Sequence, residues 1–165
     1  MHRPLFFLTL LGCDLETPGP LHPTAGTPTP CEAGAVGWLE TPGGKTRWPT
    51  VSPWSTLTLT EPGTFTLCPG THTVELLVEA PVTITGAGAA TLSGAGALTP
   101  IHIGTHAGTV TIEDLTLTDG LATHRHGGGE TAGGAIFCDT PAELALNRLH
   151  LLNNEAELGG GGHFG

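Results

Sequence analysis

Short runs in which apolar and polar residues alternate recur along the chain from about residue 63 onward. Each run is three to five residues long and is bounded by Gly, Pro or Asp, so none reaches the length of a helix. A period of two places successive side chains on opposite faces of a strand. The alternation therefore predicts short β-strands within residues 64–67, 74–78, 82–84, 101–103, 110–112 and 115–117.

The apolar positions also repeat at a fixed distance along the chain. At an offset of 34 residues, four apolar positions each meet another apolar residue: Val110 with Leu144, Ile112 with Leu146, Leu115 with Leu149, and Leu117 with Leu151. The same offset places Ile101 on Ala135 and Ile103 on Phe137, and an offset of 27 places residues 133–137 on residues 160–164. Offsets that keep the strand spacing but differ in loop length indicate stacked coils with variable loops.

Such a stack is a parallel β-solenoid, in which inward apolar residues form one continuous core and each coil contacts only its neighbours. A β-sandwich is the competing fold. It favours tight hairpin dipeptides such as Asp-Gly between strands, and Asp119-Gly120 is the only one in the chain. We therefore predict an all-β solenoid of about four coils over residues 63–165.

Composition supports the same fold class. The 165 residues include 26 Gly and 14 Pro, and Thr is the most frequent residue. Thr, Val, Ile and Leu favour strands, Gly and Pro mark turns, and strong helix formers are sparse. The length suits one domain. Residues 13–30 are rich in Pro and Thr and show no apolar period, which is typical of an extended, solvated tether.

All three Trp residues lie within residues 31–62, ahead of the repeats. Trp is usually at least partly buried, so we interpret this segment as a cap whose aromatic side chains cover one end of the core. The alternative is that Trp38, Trp48 and Trp54 form a platform on which sugar rings stack.

Charge excludes one class of partner. The formal net charge is −10, from 15 acidic and 5 basic residues. A nucleic-acid-binding protein normally carries a basic patch that neutralises phosphates, whereas here Lys45 is the only Lys and the four Arg are scattered. We therefore expect no nucleic-acid partner. No Asp-x-Asp-x-Asp loop indicates a metal site, and we expect neither a metal nor a cofactor.

The N-terminus combines a short basic start with an apolar run at residues 5–11, followed by Gly12 and Cys13. The run is too short to span a bilayer, which takes about 20 apolar residues in a helix, and it is typical of a secretory signal. Residues 10–13, Leu-Leu-Gly-Cys, resemble the bacterial lipobox, in which signal peptidase cuts before a Cys that becomes lipidated. The resemblance implies a signal peptide at residues 1–12, lipid attachment at Cys13, and anchoring to a membrane by acyl chains.

Export would also permit a disulfide. Besides Cys13, the chain contains Cys31, Cys68 and Cys138. We prefer the pair Cys31 and Cys68, because this bond would tie the N-terminal segment to the first strands. The pair Cys68 and Cys138, or three free thiols, are the open alternatives.

Several motifs resemble a known family. Pro-Gly-Thr-His-Thr at residues 69–73 and Pro-Val-Thr-Ile-Thr-Gly-Ala-Gly at residues 81–88 are similar to the opening coils of right-handed parallel β-helix proteins with a pectin-lyase-like fold. Further on, the residues Gly133, Gly134, Ala135 and Ile136, together with Leu151 to Ala156, resemble the polymorphic outer-membrane protein repeat, which pairs a GGAI-like with an FxxN-like motif. Leu151 stands where Phe is usual. The resemblance covers about residues 63–165 and implies a right-handed β-helix, which we expect to be incomplete at its C-terminus.

In that family an Asn side chain often stacks in a ladder at a turn, which assigns Asn154 to such a position. The 34-residue offset places Asn153 over Asp119 and Arg148 over Asp114, one strand spacing of about 4.8 Å away. We therefore predict an ion pair between Arg148 and Asp114 that connects two coils, and we expect it to contribute little if it is exposed.

Catalytic groups are sparse. Polysaccharide lyases and hydrolases with this fold use clustered Asp residues and Lys or Arg bases in a surface groove. Here Asp114, Asp119 and Asp139 stand apart, and no basic residue flanks them in the chain. We therefore assign no catalytic residue.

The longest polar loop, residues 121–132, is the first place to look for a ligand. It contains His124, Arg125, His126 and Glu130. A His-x-His motif with a Glu can bind zinc when a strand or a tight loop holds the groups together. Three Gly residues loosen this loop, so we interpret it as an exposed insertion rather than a metal site.

Thr-x-Thr motifs also recur, and in some ice-binding solenoids ranks of this motif present ordered hydroxyls. The gaps between the motifs are irregular here. We therefore attribute them to the preference for Thr at outward strand positions.

Taken together, these features predict a non-catalytic, lipid-anchored β-helix module of a bacterial cell envelope, at the outer membrane or cell surface, with an adhesin-like or structural role. Its candidate partners, besides the membrane, are a polysaccharide or a cell-surface protein. The alternative is a fragment of a carbohydrate-active β-helix protein, either a polysaccharide lyase or a hydrolase. A minor alternative is an ice-binding surface.

Overall fold

The structure is a computed structural model that describes residues 31, 34–49, 51–122, 132–138, 142–156 and 162–164. Within these residues there are fifteen strands and no helix. The strands are β1 (Ala35–Thr41), β2 (Gly44–Pro49), β3 (Ser55–Leu59), β4 (Gly63–Leu67), β5 (Gly70–His72), β6 (Val74–Val78), β7 (Val82–Gly86), β8 (Ala90–Ser93), β9 (Ile101–Ile103), β10 (Thr109–Glu113), β11 (Thr116–Thr118), β12 (Ile136–Cys138), β13 (Glu143–Asn147), β14 (His150–Leu152) and β15 (Gly162–Phe164). The predicted all-β class is confirmed, and each of the six predicted runs coincides with or overlaps a strand.

The strands form three sheets, which the chain visits in a fixed cyclic order. From β3 onward, consecutive strands enter a five-stranded sheet, a six-stranded sheet and a four-stranded sheet, and then the five-stranded sheet again. The sheet orders are β15-β12-β9-β6-β3, β13-β10-β7-β4-β1-β2 and β14-β11-β8-β5. From β3 onward, paired strands are therefore three apart in the chain, and all of these pairs are parallel. We call three consecutive strands, beginning with β3–β5, a strand triplet.

Alternation along each strand decides which side chains enter the core. In β7, Val82 and Ile84 are buried, while Thr83 and Thr85 lie on the other face and are partly exposed. Strands of all three sheets contribute to a single cluster of buried apolar side chains, which includes Phe65. Burying a side chain of this size stabilises a fold by about 1.5–3 kcal/mol, so this cluster is the main source of stability.

The β1–β2 hairpin is an antiparallel addition at one edge of the six-stranded sheet. β1 pairs with β4, and β2 pairs with β1. The close approach of β1 to β4 requires Gly37, because a Cβ there would lie 2.4 Å from the carbonyl oxygen of Thr66. The segment interpreted as a cap, residues 31–62, contains this hairpin and also β3, which already pairs in parallel with β6.

The 34-residue repeat is confirmed between the third and fourth strand triplets. In the six-stranded sheet Val110 pairs with Leu144, and in the four-stranded sheet Leu117 pairs with Leu151. Since apolar residues face apolar residues at these positions, the stack keeps the side chains that point inward in register.

In the five-stranded sheet the predicted register is wrong by one residue. Ile101 pairs with Ile136 rather than with Ala135, because the path from Ile136 to Leu144 is 8 residues whereas that from Ile101 to Val110 is 9. The shift keeps Ile136 on the core side of β12, since a one-residue slip turns every side chain to the other face.

The second offset is also wrong by one residue. Phe137 pairs with His163, an offset of 26 rather than 27. The ring of Phe137 lies against the buried ring of His102 on the neighbouring strand, with centroids 5.2 Å apart. The sequence favours the offset of 27 because it also matches Phe137 with Phe164, whereas strand pairing places Phe137 beside His163.

A disulfide links Cys31 to Cys68, with their Cα atoms 5.4 Å apart. This is the pair preferred from the sequence, and the alternative pair of Cys68 with Cys138 is not formed. The backbone N–H of Cys68 also donates to the carbonyl oxygen of Val36, at 2.8 Å. Cys138 is buried on β12.

Candidate functional site

Two of the sites chosen from the sequence lie outside the described residues. They are the lipid-attachment residue Cys13 and the polar loop with His124, Arg125, His126 and Glu130. The residues assigned to the repeat motif are described, and all of them lie near the boundary between the third and fourth strand triplets.

Gly133 begins the Gly-Gly-Ala-Ile motif and is required by backbone geometry. Its φ is +69°, and a Cβ there would lie 2.3 Å from the carbonyl oxygen of Ile136. Its own carbonyl oxygen accepts a hydrogen bond from the buried hydroxyl of Thr99, at 3.1 Å. Ala135 and Ile136 are fully buried. This motif therefore directs the chain into β12 and supplies core residues.

Asn154 joins two strand triplets through its side chain. Its Oδ1 accepts from the backbone N–H of Gly120 at 2.9 Å, and its Nδ2 donates to the carbonyl oxygen of Leu117 at 3.0 Å. Beside it, Nδ2 of Asn153 lies 3.4 Å from Oδ1 of Asp119, which confirms that Asn153 lies over Asp119. Asn153 and Asn154 therefore connect the fourth strand triplet to the third through their side chains.

Arg148 and Asp114 form the predicted ion pair between triplets. Nε and Nη2 of Arg148 donate to the two carboxylate oxygens of Asp114, at 2.5 and 2.6 Å, and Nη2 also lies 3.4 Å from Glu113. Hydrogen bonding and charge together hold the pKa of Asp114 below its ordinary value of 3.8 and raise that of Arg148. Because both side chains are largely exposed, the pair contributes orientation more than stability.

A groove of about 600 Å³ runs beside this ion pair, over the turns between the six-stranded and four-stranded sheets. Its lining includes Gly86 and Gly88 beside the second strand triplet, Thr116 of the third, and Arg148 and His150 at the fourth. It presents a hydroxyl, a guanidinium and an imidazole, which can bind polar groups.

The outer face of the six-stranded sheet carries two rows of side chains that cross five strands in register. One row is Glu40, Thr64, Thr83, Thr111 and Ala145, and the other is Trp38, Thr66, Thr85, Glu113 and Asn147. We call these ten residues the threonine face. Neighbours within a row are one strand apart, about 4.8 Å, and the rows lie about 7 Å apart along each strand.

The chemistry of the threonine face is mainly that of neutral hydroxyls. Each Thr side chain both donates and accepts hydrogen bonds, and stiff β-branched side chains on a sheet lose little freedom on binding. Its two carboxylates are Glu40 on β1, which is paired to Lys45 at 3.0 Å, and Glu113 on β10, which lies 3.4 Å from Arg148. The surface therefore suits an extended polar ligand that is uncharged along most of its length.

In the sequence, the Thr-x-Thr motifs match the strand preference of Thr and have no regular spacing that groups them. The motif of Thr64 and Thr66 stacks directly on that of Thr83 and Thr85, although 19 residues separate them. Thr111 continues one row, while Glu113 interrupts the other. This grouping could have been predicted from the alternation of each Thr with the apolar residues that point inward, because that alternation places the Thr on the outer face. The number of residues between successive motifs does not reveal it.

In the described part of the chain, no helix is long and apolar enough to cross a membrane. The same residues contain no group of three or more His, Cys, Asp or Glu side chains placed to hold a metal ion. No protein-family model, curated protein or solved structure matches this chain.

Proposed function

We propose that this chain is a right-handed parallel β-helix of about four coils that serves as a non-catalytic, lipid-anchored surface module of a bacterial envelope. Its role is adhesin-like or structural, and it contacts a polysaccharide or a cell-surface protein. In this proposal residues 1–12 are the signal peptide, Cys13 carries the lipid, and residues 13–30 hold the β-helix away from the membrane.

The cyclic strand order supports the β-helix part of the proposal. Each strand triplet contributes one strand to every sheet and pairs only with the triplets before and after it, which is the contact pattern of a solenoid. Connections between parallel strands of one sheet are almost always right-handed, and this rule supports the proposed hand. Stacking of Arg148 on Asp114 and of Asn153 on Asp119 is the expected consequence of one coil lying on the next.

The threonine face is the observation that carries the adhesin-like role. It joins five strands into one ordered, mainly neutral surface, and neither burial nor ion pairing accounts for its central Thr residues. A binding module gains affinity from many weak contacts held on a rigid sheet, because little side-chain freedom is lost on association.

Adsorption of the purified chain to isolated cell envelopes and to insoluble polysaccharides tests this role. The double variant Thr83→Lys and Thr85→Lys places two long cations in the centre of the threonine face and should abolish adsorption. Thr91→Lys with Thr118→Lys, on the outer side of the four-stranded sheet and outside the groove, is the matched control and should adsorb like the original chain. Adsorption to none of these surfaces, or equal adsorption of both variants, contradicts the proposal.

A second candidate function, carbohydrate cleavage, is favoured by the groove beside Asp114. Carboxylate and imidazole groups are usual agents of acid–base chemistry, and a guanidinium stabilises negative charge. In this arrangement the hydrogen bond from Arg148 keeps the Asp114 carboxylate ionised, so it is suited to electrostatic stabilisation rather than to proton donation. Assays on pectate, with and without Ca²⁺, decide the matter: an unsaturated product that is lost in His150→Asn supports cleavage.

A third candidate, ice binding, is favoured only by the two stacked Thr-x-Thr pairs of β4 and β7. Glu113 and Ala145 interrupt the pattern on the next two strands, so the ordered hydroxyl patch is small. Thermal hysteresis of the purified chain measures this function directly, and we expect none.

A further inference from the structure

Trp54 combines an exposed side chain with a backbone conformation that Trp rarely adopts. Its side chain and backbone together are 55% exposed, the largest value among the exposed large hydrophobic residues of the described part of the chain. Its φ is +65°. It occupies the third position of a turn that begins at Ser52, has Pro53 second, and is closed by a hydrogen bond from the Ser55 N–H to the Ser52 carbonyl, at 3.2 Å.

A positive φ at this turn position favours Gly or Asn, because a bulky side chain meets steric strain there. Strain of this kind persists where surrounding contacts hold it, and it is concentrated at sites that bind ligands. Packing does not explain Trp54, since its side chain lies outside the core. By contrast, Trp48 packs against the core and Trp38 is half-buried.

A groove of about 250 Å³ lies next to this turn. Its apolar lining is Val36, Val51, Pro53 and Val74, and its polar lining includes the hydroxyl residues Thr71 and Thr73. The backbone N–H of Trp54 donates to the carbonyl oxygen of Thr73 at 3.0 Å, which fixes the Trp beside the groove. The lining itself therefore supplies apolar side chains and hydroxyl groups, and the adjoining turn supplies the exposed indole of Trp54.

We propose that Trp54 and this groove bind a neutral glycan. One pyranose ring stacks its C–H face on the indole, and the hydroxyls of an adjoining sugar bond to Thr71 and Thr73. An aromatic ring supplies a large apolar surface with a negative face, which suits the partly positive C–H groups of a sugar. The hydroxyls of Thr can donate to or accept from the sugar hydroxyls.

Charge selects a neutral glycan over an acidic one. Among the described residues, the lining contains no carboxylate, Lys or Arg. The one titratable residue among them, His72, uses Nε2 to donate to the carbonyl oxygen of Cys68, at 2.9 Å. The chain as a whole carries a net charge of −10, which repels polyanions. This site is separate from the threonine face, although it rests on the proposed role in polysaccharide contact.

Electrophoresis of the full chain through gels that contain hydroxyethyl cellulose or xyloglucan tests the proposal, with polygalacturonate as the acidic comparison. We expect retardation by a neutral glycan and quenching of Trp fluorescence. Trp54→Gly and Trp54→Asn should weaken binding about tenfold or more, because stacking is lost. Both variants should melt at the same or a higher temperature, because Gly and Asn tolerate a positive φ.

A loss of glycan affinity together with an unchanged or higher melting temperature indicates that Trp54 serves binding rather than stability. Trp54→Phe should retain part of the affinity. Leu152→Ala, which removes an apolar side chain with similar exposure on β14, should be retarded like the original chain. Retardation that is kept in Trp54→Gly but lost in the Thr83→Lys and Thr85→Lys variant would assign glycan binding to the threonine face instead. Retardation of Trp54→Gly equal to that of the original chain overturns the proposal. So do retardation by polygalacturonate alone and binding of an apolar peptide without any glycan.

Discussion

Arg148 lies directly over Asp114, and its guanidinium donates hydrogen bonds to both carboxylate oxygens, at 2.5 and 2.6 Å. The two residues are 34 positions apart and occupy the same turn in successive strand triplets, where both adopt a positive φ, +49° and +57°. This salt bridge forms only when the two triplets stack in the observed register, because a shift of one strand by one residue would separate the two charges.

Replacing Arg148 with Asn tests how much this ion pair contributes to the stability of the fold. Asn tolerates the positive φ, so the variant removes the charge without adding backbone strain. We expect a melting temperature at neutral pH close to that of the original chain, because exposed pairs contribute little. A large destabilisation would show that the pair anchors the turn.

The pH dependence of the same variant has a defined sign. The pKa of Asp114 is lower in the folded chain than its ordinary 3.8, so the pair stabilises the fold above that pH and loses its contribution as the pH falls below it. The small difference in melting temperature between the original chain and Arg148→Asn should therefore begin to shrink near pH 3.8 and disappear as the pH falls through the lower pKa of the folded chain. A difference that persists in acid contradicts this assignment.

Removal of the Asn154 side chain should cost far more. In Asn154→Ala, the N–H of Gly120 and the carbonyl of Leu117 lose their partners in a partly buried position, which costs about 1–3 kcal/mol of the free energy of unfolding. Urea denaturation measures this change. Asn153→Gly is the matched control, since it removes only a long 3.4 Å contact and suits a φ of +54°, and it should leave stability nearly unchanged.

The disulfide should stabilise the N-terminal end of the stack. It spans 37 residues, and closing a loop of this length restricts the unfolded chain by about 4 kcal/mol in the chain-entropy model. The double variant Cys31→Ala and Cys68→Ala should melt at a lower temperature, and a reducing agent should lower the melting temperature of the original chain but not that of the variant. Equal melting in both conditions would contradict a stabilising role.

Lipid attachment at Cys13 is a separate prediction, which depends on the resemblance of residues 10–13 to the lipobox. When the full chain is expressed in a bacterium that is fed labelled palmitate, the label should enter the original chain and be lost in Cys13→Ser. Cys138→Ser is the control and should keep the label. Equal labelling of all three chains, or of none, contradicts the anchor.

Much of the fold could be predicted from the sequence because its causes are local. The alternation at residues 82–84 and 110–112 marks strands whatever surrounds them, and the 34-residue repeat of apolar positions identifies Val110 and Leu144 as stacked. The ion pair of Arg148 and Asp114 follows from that repeat, because both residues lie at a fixed distance from the strands.

Other features could not be predicted, because they depend on loop lengths and on contacts between distant segments. The one-residue difference between the β9–β10 and β12–β13 connections moves Ile136, not Ala135, onto Ile101. The antiparallel β1–β2 hairpin lies in a segment where no repeat marked its strands. The strain at Trp54 is a backbone property that no residue pattern signals.

The sequence by itself determined that the chain is β-rich, where most strands of the repeats lie, and which residues face inward, because alternation and turn residues act over a few positions. The tertiary structure alone decided the register of the five-stranded sheet, the grouping of separate Thr residues into one face, and the exposure of Trp54 beside its groove. Those features arise when strands that are 19 to 35 residues apart lie side by side, and the packing of inward side chains selects their alignment.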